Sequence, residues 1–323
     1  MVKNMADEKK KKYYRELEDL PGVGEATAER MRKAGYSDFV KLASATPHEL
    51  AEVAEMGVEA ARKAIEASKE MVDIGFETAD VTYERRKLIG KIKTGSEGLD
   101  ELFGGGIETQ SITEAYGKFS SGKSQLGFQL CVNVQKPLDK GGLNGKVLFI
   151  DTEATFRPDR IAQMAEAAGM NVEEVMKNIY VSRAENSDHQ MLLLEKSEEL
   201  IKSAGIRLIV VDSLTSHFRA DYIGRGALSD RQQKLNKHIH DLQRLSEKHN
   251  VAVYITNQVM DNPGILFGDP TTPIGGHVMA HAATYRVYLR KSKEEKRIAR
   301  MVDSPNLPEG ECVFKVTKEG VRD

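Results

Sequence analysis

Eight residues near the middle of the chain limit its fold more than any other feature. Gly117-Lys118-Phe119-Ser120-Ser121-Gly122-Lys123-Ser124 satisfies the pattern G-x-x-x-x-G-K-S/T. It stands between a run that reads as a strand, Ser111 to Tyr116, and a helical pattern that continues through Gln135. Strand, glycine turn and helix in that order aim backbone N–H groups and the positive end of a helix at one point, which suits phosphate. Glycine is needed where a side chain would block that approach. Lys123 adds a point charge, the Ser124 hydroxyl suits Mg²⁺, and Gln125 follows on the helix. An ordinary glycine turn is the alternative, and the strand before and helix after weigh against it.

The chain around this turn divides unevenly. From Tyr13 to about Ile74 short helical stretches alternate with turns and no β-branched run suggests a strand, so a small all-α unit over 13–74 is expected. The apolar period fades over 75–88, a linker, and from 89 onward strands alternate with longer helices. Expected strands are Ser111 to Tyr116, Val147 to Asp151, Ile179 to Arg183, Leu208 to Asp212 and Val251 to Asn257. Several are nearly continuous apolar runs, as parallel strands covered on both faces require. Tyr285 to Arg290, Arg297 to Asp303 and Cys312 to Thr317 follow with short connections and read as an antiparallel extension at one sheet edge.

Composition removes several classes. With 323 residues and 40% hydrophobic content the chain is about two domains long. Lys and Arg number 47 against 49 Asp and Glu, a net charge of −2, so any nucleic-acid binding must come from local clusters. No apolar run approaches the roughly 18 residues of a membrane span, and the lysine-rich start, residues 1–12, has no apolar stretch behind it; an intracellular, cytoplasmic protein is expected. Lys9 to Lys12 read as a solvated basic terminus. Cys131 and Cys312 are too few and too distant for a disulfide framework or a zinc knuckle and read as buried free thiols.

Two acids end strands where a metal-holding carboxylate is wanted, Asp151 and Asp212, and spacing does not choose between them. Glu153 would share a side with Asp151 if that strand continues, placing a carboxylate where it can orient water. Leu20-Pro21-Gly22-Val23-Gly24 has the form of a hairpin whose glycines, Gly22 and Gly24, turn backbone N–H groups toward a DNA phosphate; a degenerate second copy surrounds Met56-Gly57-Val58. Two later stretches read as long loops. Ser216 to Ser229 carries Arg219, Tyr222 and Arg225, with Arg231 at the next helix, the cations and aromatic of a single-strand groove. Val259 to Ile274 lacks cations but offers Ile265, Leu266 and Phe267 to wedge or stack, with Gly275 and Gly276 closing it. His277 and His281 would share a helix face, but no third metal ligand lies nearby.

Taken together these residues resemble the archaeal RadA recombinases, relatives of the eukaryotic strand-exchange proteins and, more distantly, of bacterial RecA. Besides the hairpin and the phosphate loop, the resemblance rests on the stretches at 151–160, 212–219, 224–226, 231–233, 257–259, 274–277 and 303–305. It implies a RecA-like ATPase core with a mostly parallel sheet, preceded by a helix-hairpin-helix domain, using ATP and Mg²⁺. It further implies a helical filament on single-stranded DNA that exchanges strands with homologous duplex DNA. By the same resemblance Asp212 closes the metal site, Glu153 orients the attacking water, Arg160 stacks on adenine and Gln258 reports the γ phosphate to the second loop. Phe76 and Ala79 fit the family's Phe-x-x-Ala, which docks on the next protomer. His281, Asp303, Ser304 and Pro305 would lie against the neighbour's ATP.

The chain departs from the pattern of the family it resembles at four places. Lys118 and Ser120 stand where an acidic residue and Gly are usual, Ala154 replaces Gly or Asn, Asn306 replaces a frequent His, and no Arg follows Asn257-Gln258-Val259. Two other readings use the same features: a nucleotide-binding mediator without strand-exchange activity, and a ring-forming motor on the same core.

Overall fold

The computed structural model describes residues 14–72, 77–224, 226–261 and 271–323, without the side chains of Asp261, His277, Ala280 and His281. The chain forms two compact units that divide between Glu84 and Arg85.

In the first unit a 3-10 turn, Leu17–Asp19, precedes α1 (Glu25–Lys33), α2 (Phe39–Ala43), α3 (Pro47–Val53) and α4 (Val58–Met71). Caps written in the sequence start these helices: Asp38 and Thr46 accept from the N–H groups of Lys41 and Glu49. Leu17, Leu20, Val23, Met31, Leu42, Leu50 and Ile65 share the core. The helix α5 (Ala79–Arg86) lies in the stretch expected as linker and buries none of its side chains.

The second unit is a three-layer α/β structure. A short ribbon pairs β1 (Lys91–Ile92) with β2 (Ile107–Glu108), with α6 (Glu97–Leu102) between them. Then follow β3 (Ser111–Tyr116), α7 (Lys123–Asn133), β4 (Lys146–Asp151), α8 (Pro158–Ala167), α9 (Val172–Lys177), β5 (Ile179–Arg183), α10 (Ser187–Ala204) and β6 (Ile206–Asp212). Next come α11 (Ser216–Asp221), α12 (Leu228–His249), β7 (Ala252–Asn257), β8 (Val259–Asp261), β9 (Thr271–Pro273) and α13 (Gly276–Ala282). The meander β10 (Tyr285–Lys291), β11 (Lys296–Asp303), β12 (Gly310–Thr317) and β13 (Gly320–Arg322) closes the chain.

The nine-stranded sheet runs β13-β12-β11-β10-β3-β7-β6-β4-β5, with β10 through β5 parallel and β10 to β13 antiparallel, as the strand pattern predicts. Period 2 explains the continuous apolar runs. Val147, Phe149, Leu208, Val210 and Tyr254 face α7 to α9, and Leu148, Ile150, Ile209, Val211, Val253 and Ile255 face α10, α12 and α13. All the parallel strands deliver their carboxyl ends to one edge, where open α/β sheets bind ligands.

Three expectations change. Ser216 to Ser229 is not one loop: α11 occupies its first six residues because Phe218 is buried in the core, and α12 begins at Leu228. A helix this short carries too little apolar period to show in a sequence. The stretch Val259 to Ile274 is a β-ribbon at its base, β8 pairing with β9, and Phe267 lies outside the described residues. Cys131 is buried as expected, but Cys312 is only half-buried.

Candidate functional site

The phosphate turn joins β3 to α7 at the strand ends. Gly117 lies so close to the neighbouring strand that a Cβ there would stand 2.1 Å from the Leu289 carbonyl oxygen, and Gly122, at φ +105°, caps α7. Ser120 adopts φ +61°, so the departure from Gly places an L-residue in the left-handed region. Arg297 of β11 donates from Nε to the Ser120 carbonyl at 3.0 Å and braces it. Lys123 Nζ donates to the carbonyls of Gly117 (2.9 Å) and Lys118 (3.2 Å). Desolvation lowers its pKa, and the carboxylates of Asp212 and Glu153 oppose the shift.

The turn opens into a cleft of about 800 Å³ lined by residues 117–125 together with Glu153, Arg160, Asp212 and Gln258. Thr155, Ser213, Thr256, Arg297 and Val316 also line it and were not singled out from the sequence. Thr155 and Ser213 lie inside the stretches at 151–160 and 212–219, and Thr256 stands beside that at 257–259; Arg297 and Val316 carry no local signal.

The two strand-end aspartates now separate. Asp151 turns inward and accepts from the backbone N–H groups of Glu153 (3.2 Å), Thr155 (3.1 Å) and Phe156 (3.1 Å), so it ties a turn and does not line the cleft. Asp212 lines the cleft, with its two oxygens accepting from Thr256 Oγ1 and, at 3.1 Å, from Thr155 Oγ1. Glu153 arrives by a different route from the one expected: β4 ends at Asp151, and a bend with Ala154 at φ +55° carries the carboxylate to the cleft. There Gln258 Nε2 donates to Glu153 Oε1 at 2.5 Å. Arg160 is held flat, donating to Gln125 Oε1 (2.8 Å), Thr317 O (2.5 Å) and Lys318 O (2.6 Å).

The chemistry of the cleft fits Mg²⁺ and a polyphosphate. Ser124 and Asp212 supply hard oxygen donors, and Mg²⁺ takes few protein ligands. Ser121 Oγ and Ser213 Oγ are buried there without a hydrogen-bond partner among the described residues. Among those residues no cluster of three or more His, Cys, Asp or Glu could hold a metal ion, and the side chains of His277 and His281 lie outside them.

Behind the cleft a buried polar network runs across three strands. Arg286 Nε of β10 donates to Glu114 Oε2 of β3 at 2.7 Å, and Asn257 Nδ2 of β7 donates to Glu114 Oε1 at 2.7 Å and to Ile274 O at 2.6 Å. The Arg286 guanidinium also covers the Tyr116 ring at 5.5 Å. Removing one member of such a buried pair costs about 3–5 kcal/mol.

The remaining predicted residues are placed as follows. Arg219 is exposed in the last turn of α11 and Arg231 half-exposed in the first turn of α12; Arg225 lies outside the described residues. Tyr222 is half-buried, with Lys234 Nζ 5.2 Å from its ring centre. Gly275, at φ +104°, caps α13, and Gly276 is exposed at its start. Asp303 and Pro305 are exposed where β11 ends, and Ser304 Oγ accepts from the N–H groups of Asn306 (3.2 Å) and Leu307 (2.9 Å). Ala79 opens α5, and Phe76 lies outside the described residues.

In the first unit, Gly22 takes φ +78° and Gly24 caps α1. The second copy differs. Glu55 at φ +51° holds the place of Gly22, Gly57 caps α4, and Arg30 of α1 donates to Ala54 O at 2.9 Å.

Fold and site together define a RecA-like α/β core with a phosphate loop at the carboxyl ends of its parallel strands. A family model described as Rad51 matches residues 84–323, and one described as a SAM-like helix-hairpin-helix tandem matches 14–70. The chain belongs to the Rad51 family, DNA-binding and ATP-binding proteins of DNA recombination and repair. No described helix is long and apolar enough to cross a membrane.

Proposed function

We propose that the chain is a recombinase of the archaeal RadA type, which assembles head to tail on single-stranded DNA, hydrolyses ATP with Mg²⁺ and pairs the bound strand with homologous duplex. The observation that carries this reading is the hydrogen bond between Gln258 and Glu153. Gln258 immediately precedes β8, so one contact joins the carboxylate suited to orient water with the base of the second loop.

In this reading the N–H groups of residues 117–124 and the end of α7 receive the β and γ phosphates, and Lys123 leaves the loop carbonyls to pair with them. Ser124 and Asp212 would hold Mg²⁺, which supplies charge neutralisation on the phosphate oxygens. Glu153 orients the water, and the flat guanidinium of Arg160 supports the adenine ring. Residues 13–74 form the DNA-binding module around Gly22 and Gly24. Residues 75–88 link it to the core at 89–323 and carry Phe76 and Ala79 to the next protomer. Arg219, Tyr222, Arg225, Arg231, Phe267, Gly275 and Gly276 face DNA, while His281, Asp303, Ser304 and Pro305 cap the neighbour's nucleotide.

The test is ATP hydrolysis by the full chain with and without single-stranded DNA, together with joint-molecule formation between single-stranded circles and homologous duplex. DNA should raise hydrolysis, and Lys123→Ala should reduce both activities at least about 100-fold by removing charge stabilisation of the transferring phosphoryl group. Equal hydrolysis with and without DNA sinks the reading.

A further inference from the structure

The side chain of Asn257 occupies a position that the proposed chemistry does not use. It is fully buried at the end of β7, one residue before Gln258, and every polar atom it carries is engaged. Its Nδ2 donates to Glu114 Oε1 and to the Ile274 carbonyl, and its Oδ1 accepts from Thr215 Oγ1 at 2.7 Å. The Ile274 carbonyl can only accept, which fixes the way the amide faces and in turn makes the Thr215 hydroxyl the donor.

The partners belong to different elements of the fold. Thr215 is the N-cap of α11, the helix that carries Arg219, and its own carbonyl accepts from the Arg219 N–H at 3.0 Å. Ile274 ends the β8–β9 ribbon, and its N–H donates to the Gln258 carbonyl at 3.0 Å. Ile274 is therefore gripped twice, by the side chain of Asn257 and by the backbone of Gln258. Glu114, anchored by Arg286, gives the amide a fixed point in the central sheet.

We infer that Asn257 is a positioning residue that holds the bases of both loops in one frame with Gln258, so that a change at the nucleotide reaches α11 through Thr215 as well as the ribbon through Ile274. This rests on the reading above that DNA stimulates hydrolysis, and it adds a link to the first loop that the contact between Gln258 and Glu153 does not supply. A displacement of Gln258 shifts Asn257, and a buried amide with no spare partner cannot move without carrying its neighbours or breaking buried hydrogen bonds.

Thr215 is the member to alter, because it lies outside the cleft and outside the exposed surface. Thr215→Val keeps the side-chain shape and removes the donor; Thr215→Ser keeps the donor; Thr215→Ala removes it with no branched methyl to misplace. Hydrolysis with and without single-stranded DNA is measured for each, alongside thermal unfolding and affinity for a fluorescent ATP analogue. Thr215→Val and Thr215→Ala are expected to bind the analogue and hydrolyse ATP without DNA as the unaltered protein does, while the DNA-stimulated increment falls about tenfold, and Thr215→Ser is expected to retain it. Intact stimulation in whichever of the two donor-free variants folds overturns the inference. So does an equal loss of analogue affinity, DNA-free rate and stimulated rate, which marks general damage. An unaltered protein that DNA does not stimulate refutes the proposed function itself, and this link falls with it.

Discussion

Single residues carry two kinds of cost in this chain. Ser120 and Ala154 stand at φ +61° and +55°, in the left-handed region that L-residues disfavour; Ser120 lines the cleft, and Ala154 lies between Glu153 and Thr155, which also line it. His238 shows a different cost. Buried on α12 against Phe218, with Gln190 Nε2 at 3.1 Å from its Nε2, it has its pKa lowered to about 4 by desolvation. The unfolded chain takes up a proton near pH 6.5 and the folded chain does not until about pH 4. Stability is therefore complete above pH 6.5 and is lost as pH falls through that window, by about 3 kcal/mol. Denaturant unfolding between pH 4 and 7 should show this slope, and His238→Leu should flatten it. An unchanged slope in the variant would assign the acid sensitivity elsewhere.

At the scale of elements, the two hairpins of the first unit make a matched pair with opposite demands. Gly22 and Glu55 occupy equivalent left-handed positions before α1 and α4. Gly22→Ala should destabilise the unit by about 1–2 kcal/mol and weaken DNA binding, because an L-residue must take φ +78° there. Glu55→Gly should be neutral or stabilising by a few tenths to about 1 kcal/mol, since it relieves the same strain and gives up only an exposed 3.6 Å ion pair with Arg30. Denaturant unfolding and a DNA-binding titration of the full chain check both. If the two substitutions behave alike, the backbone account of the hairpins is wrong. The short helix α11 belongs to this scale too: Phe218 makes it, and no period in its six residues announces it.

For the molecule as a whole, the sheet leaves β5 as an outer strand, with Val181 44% exposed and no other strand paired to its outer edge among the described residues. The proposed assembly uses that edge, with Phe76 of the next protomer docking beside it, a head-to-tail contact that need not close into a ring. Phe76→Glu is expected to abolish assembly by light scattering while leaving thermal unfolding of the monomer unchanged, because a carboxylate entering an apolar pocket loses several kcal/mol of hydration. Filaments of ordinary length in the variant would remove Phe76 from the interface.

Much of this protein follows from local order in the chain. The phosphate turn between strand and helix, the apolar runs that became the parallel core and the short connections that became the C-terminal meander all depend on residues close in sequence, whose sterics and periodicity act without the rest of the fold. The remaining features needed distant residues to meet. Which aspartate faces the cleft turned on Asp151 spending its oxygens on three N–H groups, and the brace from Arg297 to Ser120 spans 177 positions. The Glu114–Arg286–Asn257–Thr215 network likewise joins three strands and the N-cap of α11, which only the folded sheet makes neighbours. Hydrogen bonds and burial are decided by proximity in space, and proximity across such separations exists only once the sheet has formed.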